Sequence, residues 1–128
     1  MLKTAVAIGA IAAIVLVGFG VMRGEAADIN KRFSVRGVGA QTCGKYLEAR
    51  NLRPKETDQY ADWLTGFFTA YNWLQPETYD IAPVSQYKQA GLLIYLDLYC
   101  GKNPKKTIND AAIAFTRAVF DKRVKVGP

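Results

Sequence analysis

In the stretch at residues 60–76, YADWLTGFFTAYNWLQP, the apolar residues recur with the period of an α-helix. The intervals of three and four positions are those of a single helix face, and they link Tyr60, Trp63, Leu64, Phe67, Phe68, Tyr71 and Leu74. We predict a helix over residues 58–75, capped by Thr57 and ended by Pro76. The period favours a core face for the aromatic rings, with a ligand-binding platform as the alternative.

Two positions of this helix suggest contacts beyond the core. Gly66 and Ala70 lie four residues apart, and a mid-helix glycine costs about 1 kcal/mol relative to alanine, so we expect another helix to cross closely there. Trp73 falls off the apolar stripe, beside the loop QPETYDIAP. We predict that Trp73, with Tyr79 and Asp80 of the loop, contacts a protein partner; simple packing of the loop is the alternative for Trp73.

Three further helices are predicted around this one. Thr42 is a suitable N-cap for a short helix that ends near residue 51. The sequence AGLLIYLDLYC is apolar nearly all round, which indicates a central helix from residue 84 or 85 to residue 100, buried on several sides and ended by Gly101. Thr107 and Asp110 resemble a capping box that opens a fourth helix, ending near Phe120. The fold class is therefore all-α, a small helical bundle with short loops.

The absence of histidine narrows the chemistry of the chain. None of the 128 residues is histidine, so a Ser-His-Asp or Cys-His mechanism is excluded and the commonest metal ligand is missing. We expect no metal and no cofactor. Acid–base hydrolysis by Asp62, Asp80 and Asp97 with Tyr95 or Tyr99 is conceivable, but nothing in the sequence brings these residues together. We predict a non-enzymatic protein.

The charge of the chain does not indicate nucleic-acid binding. The net charge is +6, from 17 Lys and Arg against 11 Asp and Glu, which favours acidic partners in general. The basic residues are scattered in short clusters and form no stripe that would follow a phosphate backbone. We predict no nucleic-acid partner and a solvated basic surface.

Cys43 and Cys100 are the two cysteines of the chain. They are too few for a closed structural zinc site and too far apart for a CxxC redox pair, so we interpret them as one disulfide. It would join the start of the first helix to the end of the third. Such a bond persists in an oxidising compartment, and two unpaired thiols in a cytosolic protein are the alternative.

An uncharged run at residues 4–22 follows Lys3 and predicts an export signal or a membrane helix. We favour a signal peptide at residues 1–26, cleaved after Ala26. The run is longer than the usual signal core of about 7 to 15 residues and approaches the roughly 20 that span a bilayer. If it is retained, Ala5, Gly9 and Ala13 form a small-residue stripe for packing against another membrane helix.

The rest of the chain divides into three parts. We predict an extended approach segment at residues 27–41, the helical domain at residues 42–121 and a frayed basic tail at residues 122–128. Export and the disulfide together place the domain in a bacterial periplasm. The alternative is an inner-membrane protein with a periplasmic domain, and membrane contact is expected only in that case.

Four motifs carry a family resemblance: GVGAQTCGKYLEAR, YADWLTGFFTAYNW, PETYDI and YLDLYCGKNP. They resemble the small periplasmic helical proteins grouped with HdeA-type acid-stress chaperones and, more closely, the Rap/Tai type VI secretion immunity proteins. The resemblance covers about residues 37–120 and implies a four- or five-helix periplasmic bundle tied by the Cys43–Cys100 disulfide. It also implies activity by binding other proteins.

The function that follows is binding of a protein partner in the cell envelope, which would be a toxin, a client or a membrane complex. An acid-triggered chaperone would need titrating carboxylates, of which Asp97 in YLDLYC is the most notable. That side chain should be buried, with or without a partner such as an arginine, or should point outward or cap a neighbouring loop. The alternative function is a membrane-anchored accessory subunit of an envelope complex, with residues 4–22 retained as its transmembrane helix.

Overall fold

A computed structural model describes residues 27–128, and within that range the chain is helical and contains no β-strand. The four α-helices are α1 at Cys43–Leu52, α2 at Asp58–Leu74, α3 at Gln89–Lys102 and α4 at Ile108–Val119. Short 3-10 turns lie at Gly37–Ala40, Pro54–Glu56 and Phe120–Lys122. The predicted all-α class is confirmed. The proposed signal or membrane segment, with Ala5, Gly9 and Ala13, lies outside the described residues.

Residues 27–33 form a turn of their own, whereas Ser34–Pro128 form the compact helical unit. In the turn, Asp28 Oδ1 accepts hydrogen bonds from the backbone N–H of Asn30 at 2.9 Å and of Arg32 at 2.7 Å. No helix in the described part of the chain is both long enough and apolar enough to cross a membrane.

The aromatic face of α2 is the core face that its period predicts. Tyr60, Leu64 and Phe68 are buried, and their aromatic neighbours on the stripe are partly buried against the same core. Phe68 packs on Phe115 of α4, with ring centroids 4.9 Å apart. Leu74 was expected in this stripe and is instead exposed, because α2 continues beyond its last buried residue, Phe68.

Phe115 lies at the centre of an aromatic cluster that joins three parts of the chain. Besides Phe68, its ring meets Tyr87 from the loop before α3 and Tyr95 from α3, each with centroids 5.0 Å apart in edge-to-face geometry. Aromatic pairs in this arrangement contribute about 0.5–1.5 kcal/mol beyond the burial of their area. The cluster therefore fixes α2, α3 and α4 against one another.

The predicted disulfide is present and lies inside the bundle. Cys43 and Cys100 are bonded, with Cα atoms 4.8 Å apart, and both are fully buried. Beside the bond, the backbone N–H of Cys43 donates to the carbonyl of Lys106 at 2.7 Å, and Gly44 donates to Pro104 at 2.9 Å. The disulfide and these two hydrogen bonds hold the start of α1 against the loop that follows α3.

Two of the predicted helix caps are confirmed and one is wrong. Thr42 accepts a hydrogen bond from the N–H of Lys45, and Thr107 with Asp110 forms a complete capping box at α4. Thr57 does not cap α2. It follows a 3-10 turn and already has helical backbone angles, so its hydroxyl donates back to the Pro54 carbonyl at 2.6 Å.

The predicted bounds of α3 are wrong at both ends. The carbonyl of Pro83 accepts hydrogen bonds from Gln86 and Tyr87, so the chain turns there and the helix starts only at Gln89. At its other end the helix continues through Gly101 to Lys102. Gly101 therefore does not end α3.

The predicted close helix crossing at Gly66 and Ala70 is wrong, whereas α3 contacts the other three helices, as predicted for a central helix, but is not buried all round. A side chain on Gly66 would meet no atom within 4 Å, so no helix crosses there, and Gly66 and Ala70 are exposed. In α3, Leu92, Leu93 and Leu96 are buried, whereas Ile94 and Leu98 face solvent. The uniformly apolar sequence of α3 thus overstates its burial, because the other helices cover only part of its circumference.

The two ends of the helical unit are more ordered than predicted. Residues 37–40 form a 3-10 turn against Trp63, whose Nε1 donates to the Arg36 carbonyl at 2.9 Å, and a Cβ on Gly39 would overlap the Trp63 ring. The tail is not frayed. Val124 pairs with Asp80 in an isolated antiparallel bridge, with N–H···O distances of 2.8 and 3.1 Å.

Candidate functional site

The C-terminal end of α2 presents exposed apolar side chains. Trp73 is 85% exposed and Leu74 is 65% exposed. Beside them is a cleft of about 260 Å³, lined by Phe67, Ala70, Tyr71, Leu74 and Gln75. We call Trp73, Leu74 and this cleft the α2 end surface. No charged residue occurs between Asp62 and Glu77, so the whole surface is uncharged.

The sequence explains why this end of α2 extends past the core. The last buried residue is Phe68, and the helix continues to Leu74 before Gln75 leaves the helical conformation. The N–H of Gln75 still donates to the Tyr71 carbonyl at 2.8 Å, and Pro76 follows. About one and a half turns of regular helix therefore carry Trp73 and Leu74 in fixed positions.

The three predicted partner-binding residues have different environments. Trp73 is exposed as predicted. Tyr79 is about half exposed, and its ring covers Gly127 of the tail. Asp80 Oδ1 accepts hydrogen bonds from the N–H of Ala82 at 3.0 Å and from Asn72 Nδ2 at 3.4 Å. Tyr79 and Asp80 thus help to hold the loop and the tail together, and Trp73 is the residue most open to a partner.

Asp97 has the arginine partner that its setting suggests. Arg50 Nε lies 3.1 Å from Asp97 Oδ1, and Arg50 Nη2 lies 3.2 Å from Oδ2. The hydroxyl of buried Tyr46 donates to Asp97 Oδ1 at 2.7 Å and also lies 3.1 Å from the Leu93 carbonyl. This network ties α1 to α3 and engages both oxygens of the carboxylate.

The surroundings of this network raise two pKa values. Burial, followed by the hydrogen bond to Asp97, raises the pKa of Tyr46 above its usual range. The hydrogen bond to Asp97 likewise raises the pKa of Arg50. Tyr46 and Arg50 therefore both keep their protons at physiological pH.

Tyr95 provides a prediction for the alkaline limit of stability. Its hydroxyl donates to the Ala111 carbonyl at 2.7 Å, and burial raises its pKa from the usual value of 10.0 to about 12. The unfolded chain ionises first, so this contribution to stability is complete below about pH 10 and is lost as the pH rises to about 12. In urea unfolding between about pH 9 and pH 12, the free energy of unfolding of Tyr95→Phe should fall less steeply than that of the wild type. Equal slopes would contradict this account.

Two of the acidic residues considered for catalysis have separate partners, and the third is exposed. Asp80 bonds to Asn72 and Ala82, Asp97 bonds to Arg50 and Tyr46, and Asp62 is exposed on α2. Within the described residues, no hydrogen bond joins any of the three to another. The structure therefore places them in distinct local roles.

Comparison with known proteins gives no relative: no family model, no curated protein and no solved structure matches the chain.

Sequence reasoning missed the role of Tyr46 and a second cleft beside Asp80. Tyr46 and Arg50 lie four positions apart on α1, and this spacing does signal a shared helix face. The partner Asp97 is 47 positions beyond Arg50, so the network becomes visible only in three dimensions. The cleft combines residues of α2, α3 and the loop between them, for which the sequence offers no signal.

Proposed function

We propose that the chain is a non-enzymatic periplasmic protein-binding module of the Rap/Tai immunity or HdeA-like type, and that its partner binds at the α2 end surface. The observation that carries the proposal is the exposure of Trp73 and Leu74 beside an apolar cleft. Tryptophan is among the residues that most often dominate binding energy at protein interfaces.

The scaffold supports this use because it presents the surface on a regular helix. The core face of α2 packs against the Phe115 cluster, and the disulfide ties α1 to α3. A contact residue on a regular helix loses less conformational freedom on binding than one on a mobile loop, so more of the contact energy becomes affinity. Leu74 lines the cleft of about 260 Å³. A cleft of this volume has space for one apolar side chain of the partner.

The proposed compartment rests on the disulfide and on the apolar segment at residues 4–22. A buried disulfide between distant parts of a small domain is typical of oxidising compartments. The apolar segment provides the means of export. A partner in the cell envelope is therefore the chemically consistent choice.

The double variant Trp73→Ala/Leu74→Ser tests the proposed surface. Both side chains are exposed, so the free energy of unfolding should change by no more than about 0.5 kcal/mol. Loss of a tryptophan anchor should weaken binding to the partner by about 2 kcal/mol or more, which is roughly thirtyfold. Leu98→Ser is the matched control, because Leu98 on α3 is also 65% exposed.

The experiment begins with tagged protein at native level, purified from its own envelope in wild-type, double-variant and Leu98→Ser forms. An enriched protein is then purified separately, and its binary affinity for the three forms is measured. We expect equal affinity for the wild type and Leu98→Ser and loss of binding for the double variant. The proposal fails if the double variant binds normally, or if nothing is enriched and the purified domain neither protects a client nor neutralises a toxin.

A further inference from the structure

A second cleft lies on a different side of α2 and shares no lining residue with the first. It has a volume of about 150 Å³, which is several times the ~30 Å³ that one water occupies in the liquid. Thr65 and Thr69 of α2 line it together with Asp80 of the following loop. Among the described residues that line this Asp80 cleft, Asp80 is the one charged side chain.

Thr65, Thr69 and Asp80 present hydrogen-bond acceptors to the Asp80 cleft. Thr65 donates its hydroxyl hydrogen to the Ala61 carbonyl at 3.0 Å, and Thr69 donates its own to the Thr65 carbonyl at 2.9 Å. Because each hydroxyl has one hydrogen, only its lone pairs remain for a ligand. Asp80 Oδ1 is engaged by Ala82 and Asn72, whereas Oδ2 accepts no hydrogen bond from the described part of the chain.

The remaining wall of the cleft is apolar. Phe68, Tyr87 and Leu92 line it; Phe68 and Leu92 are buried and Tyr87 is half-buried. Phe68 and Tyr87 both pack on Phe115, so the aromatic cluster fixes the shape of this wall. Asn72 holds the Asp80 carboxylate, because Asn72 Nδ2 donates to Asp80 Oδ1 at 3.4 Å. Asn72 is itself positioned by the N–H of Ile81, which donates to Asn72 Oδ1 at 2.9 Å. Acceptors and apolar wall are therefore positioned before any ligand arrives.

We propose that the Asp80 cleft binds a primary ammonium group carried on a short aliphatic stem, as in a lysine side chain. One of the three N–H donors of an ammonium would meet Asp80 Oδ2, and the threonine hydroxyl oxygens that line the same cleft offer further acceptors. The stem would lie against Phe68 and Leu92, and the ring of Tyr87 adds a favourable face for a cation. A guanidinium fits less well, because its planar fork is best matched by both oxygens of a carboxylate and Asp80 Oδ1 is already engaged by Ala82 and Asn72.

Nuclear magnetic resonance titration tests the site with two probes of matched shape. The probes are the N-acetyl methylamides of lysine and of norleucine, which have stems of similar length and differ in charge. We expect saturable shifts of the Thr65, Thr69 and Tyr87 amides with the lysine probe, at a dissociation constant on the order of millimolar. The norleucine probe should bind at least about tenfold more weakly than the lysine probe, because it lacks the charged hydrogen bonds.

Asp80→Asn is the decisive variant, because an asparagine oxygen can keep the hydrogen bond from Ala82 while the charge is lost. It should weaken the lysine probe about tenfold or more. Asp62→Asn removes an exposed carboxylate elsewhere on α2 and should leave the affinity unchanged. The proposal is overturned if norleucine binds as tightly as lysine, if Asp80→Asn binds normally while its amide spectrum remains native-like, or if no saturable shift occurs.

Two further measurements identify the source of the ammonium and show whether this site is independent of the α2 end surface. Equal affinity for n-butylammonium would support a site for free amines, whereas tighter binding of the lysine probe would support a lysine of a protein. The Trp73→Ala/Leu74→Ser variant should bind the lysine probe normally. Loss of binding in that variant would contradict an independent site, and retention would support it even if the α2 end surface bound no partner.

Discussion

Removal of the Cys43–Cys100 disulfide should lower the free energy of unfolding by about 4 kcal/mol. The bond closes a loop with a sequence separation of 57, and a loop of this length restricts the unfolded chain by about that amount in the loop-entropy model. The total stability of a domain of this size is about 5–15 kcal/mol. The loss is therefore a large fraction of what holds the bundle together.

The measurement is urea unfolding of the oxidised wild type and of Cys43→Ala/Cys100→Ala. Alanine avoids placing new polar groups at two fully buried positions. The double variant should have a lower midpoint and, because its unfolded state is less compact, a larger dependence of the free energy on urea. Wild type with the disulfide reduced should match the double variant closely. A change below about 1 kcal/mol in both would show that the disulfide is not a principal source of stability.

Phe115→Ala should cost about 3–5 kcal/mol. Phe115 is 3% exposed and touches aromatic rings from α2, from α3 and from the loop before α3. Removing its ring leaves a cavity bounded by three other rings, which cannot close without moving whole helices. The near-ultraviolet circular dichroism should weaken as well, because Tyr87 and Tyr95 lose their common neighbour.

Two controls separate this cavity effect from a general loss of apolar surface. Phe115→Leu keeps most of the volume and should cost about 1.5 kcal/mol or less. Phe33→Ala removes the same atoms from an exposed position and should change stability by no more than about 0.5 kcal/mol. If Phe115→Ala costs no more than Phe115→Leu, the aromatic cluster does not have the central role assigned to it.

The features that could be predicted from the sequence are those that local physics determines. The 3.6-residue period of α2 predicted both the helix and its buried aromatic face, and Thr107 with Asp110 predicted the start of α4. The two cysteines left a single intrachain pairing. Each of these inferences depends on residues close in the sequence or on a choice with few alternatives.

The features that could not be predicted depend on which surfaces the other helices cover. Gly66 and Leu98 lie on helix faces that stay open, although composition suggested packing at both places. The fully apolar sequence of α3 has no period that would mark its exposed side. The tail was predicted to be frayed, yet Val124 pairs with the backbone of Asp80. Hydrogen bonds between backbones leave no signal in side-chain chemistry.

The candidate site likewise has one feature that the sequence predicts and one that it does not. The exposure of Trp73 followed from its position off the apolar stripe, which the sequence reveals directly. The Asp80 cleft requires α2, the loop and the start of α3 to meet, and no spacing in the sequence encodes that meeting. The sequence therefore predicted Asp80 as a contact residue but did not predict which residues surround it in the cleft.

Photo-crosslinking in the native cell envelope tests the central claim most directly. A photoreactive phenylalanine analogue replaces Trp73 in one strain and Leu98 in another, since both positions are highly exposed on helices. A binding module that uses the α2 end surface should give one dominant adduct with another protein from position 73 and none from position 98. The same adducts from both positions, or no adduct from position 73, would contradict the assignment of this surface to a protein partner.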